Sequence, residues 1–185
     1  LTVEDITRQS SYANALRTLT RLLDLGVVPI VNENDTVATN ELRFGDNDRL
    51  AALVAHVVQA DALFLLSDVD ALYTDHPARP GARRITDVPE VDELVVDTSR
   101  SGSTVGTGGM ATKLEAARIA THAGVTTVLA SATAVAEALA GEPVGTLFHP
   151  SGRRRSRKML WLAYASKVEG VLTLDEAAAD AALED

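Results

Sequence analysis

Three short polar clusters stand beside apolar runs of this sequence, where their side chains can do chemistry. NEND (residues 32–35) follows the apolar run 27–31, GDND (45–48) precedes a second run, and Ser67-Asp68 follows a third. In an open parallel sheet, ligands bind where strands deliver their carboxyl ends to loops. Carboxylates and amides in such places hold an ammonium group, orient a lysine or bind magnesium. The structural alternative is that each cluster is a turn or a helix N-cap that satisfies its own backbone.

A glycine-rich segment, SGSTVGTGGM (101–110), gives the strongest indication of a phosphate site. Gly106, Gly108 and Gly109 carry no side chain that would block a close backbone approach, and the predicted helix that follows points free N–H groups outward. Lys113 lies in the first turn of that helix, where a cation opposes the helix dipole and gains nothing locally. An anion in the loop would explain its position. The alternative is a flexible glycine turn with a solvated lysine.

Better-known motifs fit poorly. The Walker pattern fails because three residues separate Gly109 from Lys113, and segment 106–111 fits G-x-G-x-x-A without the strand before it or the acidic residue about 20 positions later. GDND lacks the spacing of an EF-hand loop, and the chain has no G-x-S-x-G nucleophile elbow. The four histidines, at positions 56, 76, 122 and 149, lack ligand spacing, so we expect them in packing or surface roles.

Composition restricts the class of protein. The chain of 185 residues is 46% hydrophobic but only 4% aromatic, which favours helices packed on a buried sheet over an aromatic-rich β-sandwich. A net charge of -9 argues against general nucleic-acid binding. The absence of cysteine excludes disulfides and indicates a reducing cytoplasm, and the apolar runs are too short to cross a membrane. Because the chain opens on Leu1, we expect a fragment of a longer protein.

Hydrophobic periodicity predicts alternating helices and strands, and therefore an α/β fold with three α/β/α layers and a mostly parallel sheet that is incomplete at its N-terminus. The first helix runs from Ser11 to about Leu23, with Gly26 as its C-cap glycine. Asp48 is predicted to be the N-cap of the second. The predicted helices are 11–23, 49–59, 111–123 and 134–140; the predicted strands are 27–31, 62–66 (fully buried), 125–130 and 145–149; segment 73–93 is predicted to be a loop or lid.

The character of the chain changes after Pro150. Five of its 17 basic residues lie between Arg153 and Lys158, so residues 151–168 are predicted to be a basic linker. Residues 169–185 are too few to bury a core of their own. We expect residues 1–150 to form one domain and 169–185 to begin another.

Five stretches in this order resemble the amino acid kinase family, and within it the members that phosphorylate L-glutamate. They are VVPIVNENDTVAT, FGDNDRLAALVA, LLSDVDALYTDHP, GTGGMATKLEAARIATHAG and VGTLFH, and they cover most of residues 12–149. The tail GVLTLDEAAADAAL resembles the opening of a PUA domain. The resemblance implies that residues 1–150 are the C-terminal part of an amino acid kinase domain.

The resemblance also implies a reaction and its residues. The γ-phosphoryl group of ATP, with Mg²⁺, would pass to the side-chain carboxylate of L-glutamate in the first step of proline synthesis. Asp35, Asn47 and Asn32 would bind glutamate, Lys113 would stabilise the transferring group, and Asp48 would orient lysines. The residues implied at ATP are Ser67, Asp68, Thr107, Gly108, Gly109, Met110, Ala111, Thr112 and Lys113.

Further properties follow from the same resemblance. It implies a homo-oligomer, dimeric or tetrameric, and proline as a feedback inhibitor. The family's first strand and glycine-rich loop, with a second essential lysine, have no counterpart in this sequence, so we expect these 185 residues alone to be inactive. One alternative is a kinase for aspartate or acetylglutamate on the same fold. Another is an RNA-binding or regulatory module, suggested by GRRRSRK and the PUA-like tail, although no aromatic residues interleave these arginines.

Overall fold

The structure, a computed structural model, describes residues 9–32, 46–96 and 109–151. In these ranges the helices are α1 (Gln9–Asp24), α2 (Asp46–Val58), α3 (Met110–His122) and α4 (Val135–Leu139), with short 3₁₀ helices at Val91–Glu93 and Ala132–Ala134. The strands are β1 (Ala62–Ser67), β2 (Leu72–Tyr73), β3 (Arg84–Ile85), β4 (Asp87–Val88), β5 (Thr126–Ser131) and β6 (Thr146–Phe148). No helix in these ranges has both the length and the apolar character needed to cross a bilayer.

The main sheet has the strand order β1-β5-β6-β4 in the described part of the chain. Strands β1 and β5 are parallel, with Ser67 opposite Ser131, and β4 and β6 are also parallel. Strand β6 runs antiparallel to β5, while β2 and β3 form a separate antiparallel ladder. The predicted α/β class and mostly parallel sheet are therefore confirmed.

Matched element lengths bring two helix starts to one edge of this sheet. Helices α2 and α3 have 13 residues each, and the strands that follow them, β1 and β5, have 6 each. Such a helix and such a strand are both about 20 Å long. Because only residues 59–61 and 123–125 separate each helix from its strand, the chain turns back at once. The starts of α2 and α3 therefore lie beside the carboxyl ends of β1 and β5.

The core fixes α2 against α3. The apolar stripe of α2 consists of Leu50, Leu53 and Val57, each no more than 3% exposed. Alanines on α3 face the same core, and small side chains let two helices approach closely. These alanines are Ala116, Ala117 and Ala120. The close packing holds the two helix starts in a fixed relation.

Two ion pairs also join α2 to α3, in very different surroundings. Lys113 Nζ lies 3.0 Å from Asp48 Oδ2, and these side chains are 13% and 20% exposed. Arg49 Nη1 lies 3.9 Å from Glu115 Oε1, with exposures of 40% and 55%. Water weakens the second pair far more than the first. The Asp48–Lys113 pair is thus the stronger polar connection of the two.

Several boundaries agree with the sequence predictions. Helix α1 is followed by Gly26 at a φ of +70°, and α3 by Gly124 at +78°, a backbone region that suits glycine. Strands β5 and β6 and helix α4 lie within one residue of their predicted limits. The C-cap glycines and the apolar periodicity were thus reliable indicators.

The predicted N-cap role of Asp48 is wrong. Helix α2 begins at Asp46, three positions before the predicted start at residue 49, so Asp48 lies within the first turn. A carboxylate is favourable there because it complements the positive end of the helix dipole. Its side chain bonds to α3 and is used between helices.

The predicted strand 27–31 is absent from the described residues. Val28 and Ile30 are 83% and 97% exposed, and no described strand pairs with this segment. An apolar run becomes a strand only beside a neighbour that takes up its backbone hydrogen bonds. Strand β1 is present but is not fully buried, since Leu66 is 41% exposed and β1 ends the described strand order.

Segment 73–93, predicted to be a loop or lid, contains regular structure. It holds β3, β4 and the 3₁₀ helix, and β2 and β3 are joined beyond their ladder. Thr74 N donates to the Arg83 carbonyl (2.9 Å), and Arg83 N donates to Thr74 Oγ1 (3.1 Å). Strands of two residues are too short to produce a recognisable alternation in the sequence.

The turn before β6 provides a test of close backbone packing. Gly145 has a φ of +74°, and a Cβ built there would lie 2.2 Å from the Leu129 carbonyl oxygen of β5. Gly141, at a φ of +78°, has open space around the same position. Gly141→Ala should cost about 1 kcal/mol for the left-handed backbone alone. Gly145→Ala should cost a further ~1–3 kcal/mol because β5 must move. Equal urea midpoints for the two variants of the whole protein would contradict the clash.

The two ion pairs between α2 and α3 allow a matched comparison. Asp48→Asn leaves the sheltered Lys113 ammonium without its counter-charge, and we expect a loss of about 1–3 kcal/mol in the free energy of unfolding. Glu115→Gln, the control between the same helices, should cost less than about 0.5 kcal/mol. Urea denaturation measures both. A loss for Asp48→Asn no greater than that of the control would show that the sheltered pair does not hold the helices together.

Candidate functional site

Three side chains meet where α2 and α3 begin. Asp48 Oδ2 lies 3.0 Å from Lys113 Nζ and 2.9 Å from Thr112 Oγ1, both of which donate to it. Thr112 Oγ1 also lies 2.8 Å from the Gly109 carbonyl oxygen. We call Asp48, Thr112 and Lys113 the Asp48 junction. It joins residues more than 60 positions apart in the chain.

The start of α3 has features that suit an anion. Its N-cap is Gly109, in an extended conformation (φ -75°, ψ -178°), which has no side chain of its own to cap the helix. A glycine leaves room for a ligand beside the first-turn N–H groups, whose partial positive charge attracts anions. Met110 and Ala111 are the first residues of the helix, and Lys113 adds a full positive charge one turn in.

Lys113 has a local partner, contrary to the sequence analysis. A lysine in a first turn opposes the helix dipole, and we expected it to gain nothing nearby. The structure instead places the Asp48 carboxylate 3.0 Å from its ammonium group. Asp48 therefore offsets the unfavourable position of the lysine. An ammonium group held in this way stays near the Gly109 N-cap of α3.

The carboxyl ends of β1 and β5 contribute hydroxyl groups at the same edge. Ser67 Oγ donates to Asp68 Oδ1 (3.0 Å), with Ser67 half-buried and Asp68 exposed. Ser131 lies opposite Ser67 in the parallel ladder, and its Oγ lies 2.8 Å from Thr133 Oγ1. Ser131 was not among the predicted site residues. The sequence did contain a signal for Ser131, because a serine directly follows each of the predicted strands 62–66 and 125–130.

The remaining predicted residues divide into two groups. Asn47 is exposed beside Asp48 in the first turn of α2, and Asn32 is exposed at the end of the first described range. Asp35, Thr107 and Gly108 lie outside the described residues, as do the predicted linker and PUA-like tail beyond residue 151. Direct contacts thus bring together Asp48, Gly109, Thr112 and Lys113, with Ser67 and Asp68 at the same edge of the sheet.

Tyr73, the last residue of β2, comes a few positions after the carboxyl end of β1. The Tyr73 hydroxyl lies 3.2 Å from each carboxylate oxygen of Asp70. Burial raises the pKa of Tyr73, and the hydrogen bond and negative charge of Asp70 raise it further, while Arg84 acts in the opposite direction. The hydroxyl therefore stays protonated at neutral pH and donates to Asp70. Tyr73 therefore acts here as a neutral hydrogen-bond donor and not as a base.

A second polar cluster lies near the C-terminal end of α3. Glu90, Asp92 and His122 each bring one possible ligand atom within 4.8 Å of the others. His122 Nε2 lies 2.8 Å from Asp92 Oδ2, and Arg118 Nε lies 2.9 Å from Asp92 Oδ1. A guanidinium group on the same carboxylate disfavours a cation there. The contacts show that His122 is buried and hydrogen-bonded to a carboxylate that also pairs with Arg118.

Comparison with known proteins gives the family. The model of the amino acid kinase family matches residues 2–131. Glutamate 5-kinase of Cutibacterium acnes is 62% identical over 181 residues, which are 98% of this chain and 46% of that protein. Glutamate 5-kinase of Salinispora arenicola is 58% identical over 188 residues, covering 100% of this chain and 50% of that protein. The chain spans about half the length of these curated relatives.

Solved structures agree on the fold. Carbamate kinase from Giardia lamblia, bound to AMP-PNP, superposes with a TM-score of 0.55 at 22% identity, over 74% of this chain and 49% of that chain. A second structure of Giardia carbamate kinase has a TM-score of 0.52 at 21% identity, over 74% and 47% of the two chains. At these identities the likeness concerns the fold alone. With the family model matching 130 consecutive positions, from residue 2 to residue 131, the chain belongs to the amino acid kinase family.

Proposed function

We propose that the whole protein transfers the γ-phosphoryl group of ATP to the side-chain carboxylate of L-glutamate, forming L-glutamyl 5-phosphate, the first step of proline synthesis. The observation that carries the proposal is the Asp48 junction, which holds the Lys113 ammonium group near the glycine N-cap of α3. The high identity to glutamate 5-kinases, 62% and 58%, supports the choice of substrate.

The residues present fit a nucleotide phosphate. The N-cap of α3 is Gly109, so a phosphate oxygen can approach the N–H groups of the first turn. Lys113 supplies the positive charge, and residues 107–113 together would surround the phosphates. Ser67 and Asp68, at the carboxyl end of β1, would contact the rest of ATP. Mg²⁺, when bound with ATP, neutralises phosphate charge, and the exposed Asp68 carboxylate is a suitable oxygen ligand for it.

The reaction asks little covalent chemistry of the protein. A carboxylate oxygen of glutamate forms a bond to the γ-phosphorus as the bond from that phosphorus to the bridging oxygen of ADP breaks. Negative charge spreads over the three equatorial oxygens, and catalysis consists of aligning two anions and stabilising that charge. Lys113 is positioned for the second task. Asp48 keeps it there and makes no bond to the reacting atoms.

Glutamate would bind beside the junction, on α2. Asn47 directly precedes Asp48 in the chain. A substrate held by Asn47 would therefore bind next to the residue whose carboxylate holds Lys113. Asp35 would face the ammonium group of glutamate, and Asn32 would complete the pocket with its amide. In this proposal the two Asn/Asp clusters would form the amino-acid pocket, and the glycine segment would form the phosphate pocket next to it.

Other properties implied by the family remain predictions. These are a cytoplasmic location, a homo-oligomeric assembly and inhibition by proline. Nucleic-acid binding through the basic segment 151–168 is the weaker alternative, because the chain as a whole carries a net charge of -9.

Lys113→Ala in the whole protein tests the central role. The variant removes the positive charge that stabilises the transferring group, so we expect kcat to fall about a hundredfold or more. Lys113→Arg is the control, because it keeps the charge but changes its shape, and it should retain more activity than the alanine variant. ADP release in a coupled assay with glutamate gives kcat. Near-normal turnover by the alanine variant would remove Lys113 from the mechanism.

A substrate panel tests the choice of acid. Aspartate is one methylene shorter than glutamate, so its kcat/KM should be lower by about 10–200-fold. Acetylglutamate has no ammonium group and would leave Asp35 unpaired, so we expect a loss of about a hundredfold or more. The same ADP-release assay compares the three acids. Faster turnover of aspartate or acetylglutamate would assign the protein to another branch of the family.

A further inference from the structure

We propose that Thr112 is a positioning residue whose side-chain hydroxyl fixes the Asp48 carboxylate, so that Asp48 in turn holds Lys113 at the phosphate site. The inference rests on the proposed function for its kinetic consequences, but its geometry stands by itself. It assigns the Thr112 side chain to the protein's own carboxylate, whereas the resemblance implies a contact of Thr112 with ATP.

The hydroxyl links two acceptors. Thr112 Oγ1 lies 2.9 Å from Asp48 Oδ2 and 2.8 Å from the Gly109 carbonyl oxygen. Its single proton serves one acceptor at a time or is shared between them. In either case the hydroxyl connects the carboxylate of α2 to the N-cap residue of α3. Lys113 Nζ donates to the same Oδ2, so both donors from α3 converge on one oxygen.

A threonine is well suited to this task. Its branched Cβ leaves few χ1 rotamers in a helix, so the α3 backbone determines where Oγ1 lies. Lysine has a long flexible side chain that loses much rotamer entropy when it is fixed. A carboxylate that is itself held by a stiff neighbour is a better anchor for that chain. The junction is also part-buried, where hydrogen bonds to a charged group are stronger than in water.

The position of the ammonium group matters for phosphoryl transfer. Lys113 must lie near the equatorial oxygens, and a displacement of about 1 Å from the productive geometry costs on the order of a hundredfold in rate. Thr112 limits such displacement by fixing the carboxylate to which the lysine is bound. An ordinary alternative exists, because helical threonines often bond to the carbonyl three residues earlier, which here is Gly109. The experiment must separate the two roles.

Thr112→Val and Thr112→Ser in the whole protein make that separation. Valine keeps the shape and removes the hydroxyl, and we expect kcat with glutamate to fall about tenfold while KM for ATP and for glutamate changes less than about twofold. Serine keeps the hydroxyl and should restore kcat to within about threefold of the unmodified protein. If Thr112→Val folds poorly, Thr112→Ala replaces it. An unchanged kcat with a raised KM for ATP would mean that Thr112 contacts the nucleotide, and the proposal would be wrong.

A double-mutant cycle with Asp48→Asn shows whether the hydroxyl acts through Asp48. If it does, Thr112→Val should lower kcat less than about twofold further in the Asp48→Asn background, because the anchor is already lost. A full tenfold loss in that background would overturn the proposal. The Gly109 contact is present in both backgrounds, so it predicts equal losses.

The reactivity of Lys113 gives a readout that does not require kinase activity. Acetic anhydride modifies free amines, and mass spectrometry of the Lys113 peptide reports the rate of labelling. Thr112→Val should raise this rate about threefold or more, and Thr112→Ser should leave it unchanged, because only the first loosens the anchor. If the unmodified protein fails to phosphorylate glutamate while labelling behaves in this way, the proposed function fails and the positioning role stands. Unchanged labelling and unchanged kcat in Thr112→Val would contradict the positioning role.

Discussion

The pairing of Asp48 with Lys113 is the interaction on which the rest of the site depends. A lysine in the first turn of a helix is electrostatically unfavourable, since the helix dipole already places positive charge there. The carboxylate 3.0 Å away offsets this cost and keeps the ammonium group beside the helix start. The result is an ammonium group held in a sheltered place, next to the partial positive charge of the helix start.

The fold makes this pairing possible over a long stretch of sequence. Two helices and the strands that follow them have equal spans, so both helices begin at the edge where β1 and β5 end. Alanines on α3 let it pack closely on α2, which fixes the distance between Asp48 and Lys113. The same edge carries Ser67, Asp68 and Ser131. The packing of α2 on α3 therefore holds polar groups from separate parts of the chain at one edge of the sheet.

Some of this arrangement was readable from the sequence and some was not. Periodicity and the C-cap glycines predicted the described helices to within a few residues, whereas the phosphate site expected at the glycine segment and Lys113 stays a prediction. Asp48 was misassigned because the sequence pattern of an aspartate at a helix start is the same whether its side chain caps its own helix or bonds to another helix. The prediction of a strand at 27–31 was wrong because a strand forms only where a neighbouring strand takes up its backbone hydrogen bonds, and a local sequence pattern does not show that neighbour. The contact between Thr112 and Asp48 is tertiary, so no local pattern predicts it.

The most direct test of the account is a crystal structure of the whole protein with a non-hydrolysable ATP analogue and L-glutamate. We predict that the γ-phosphate lies at the start of α3, with an oxygen about 3 Å from Lys113 Nζ, and that the glutamate carboxylate faces the γ-phosphorus. A γ-phosphate bound away from α3, with Lys113 contacting Asp48 alone, would contradict the central claim.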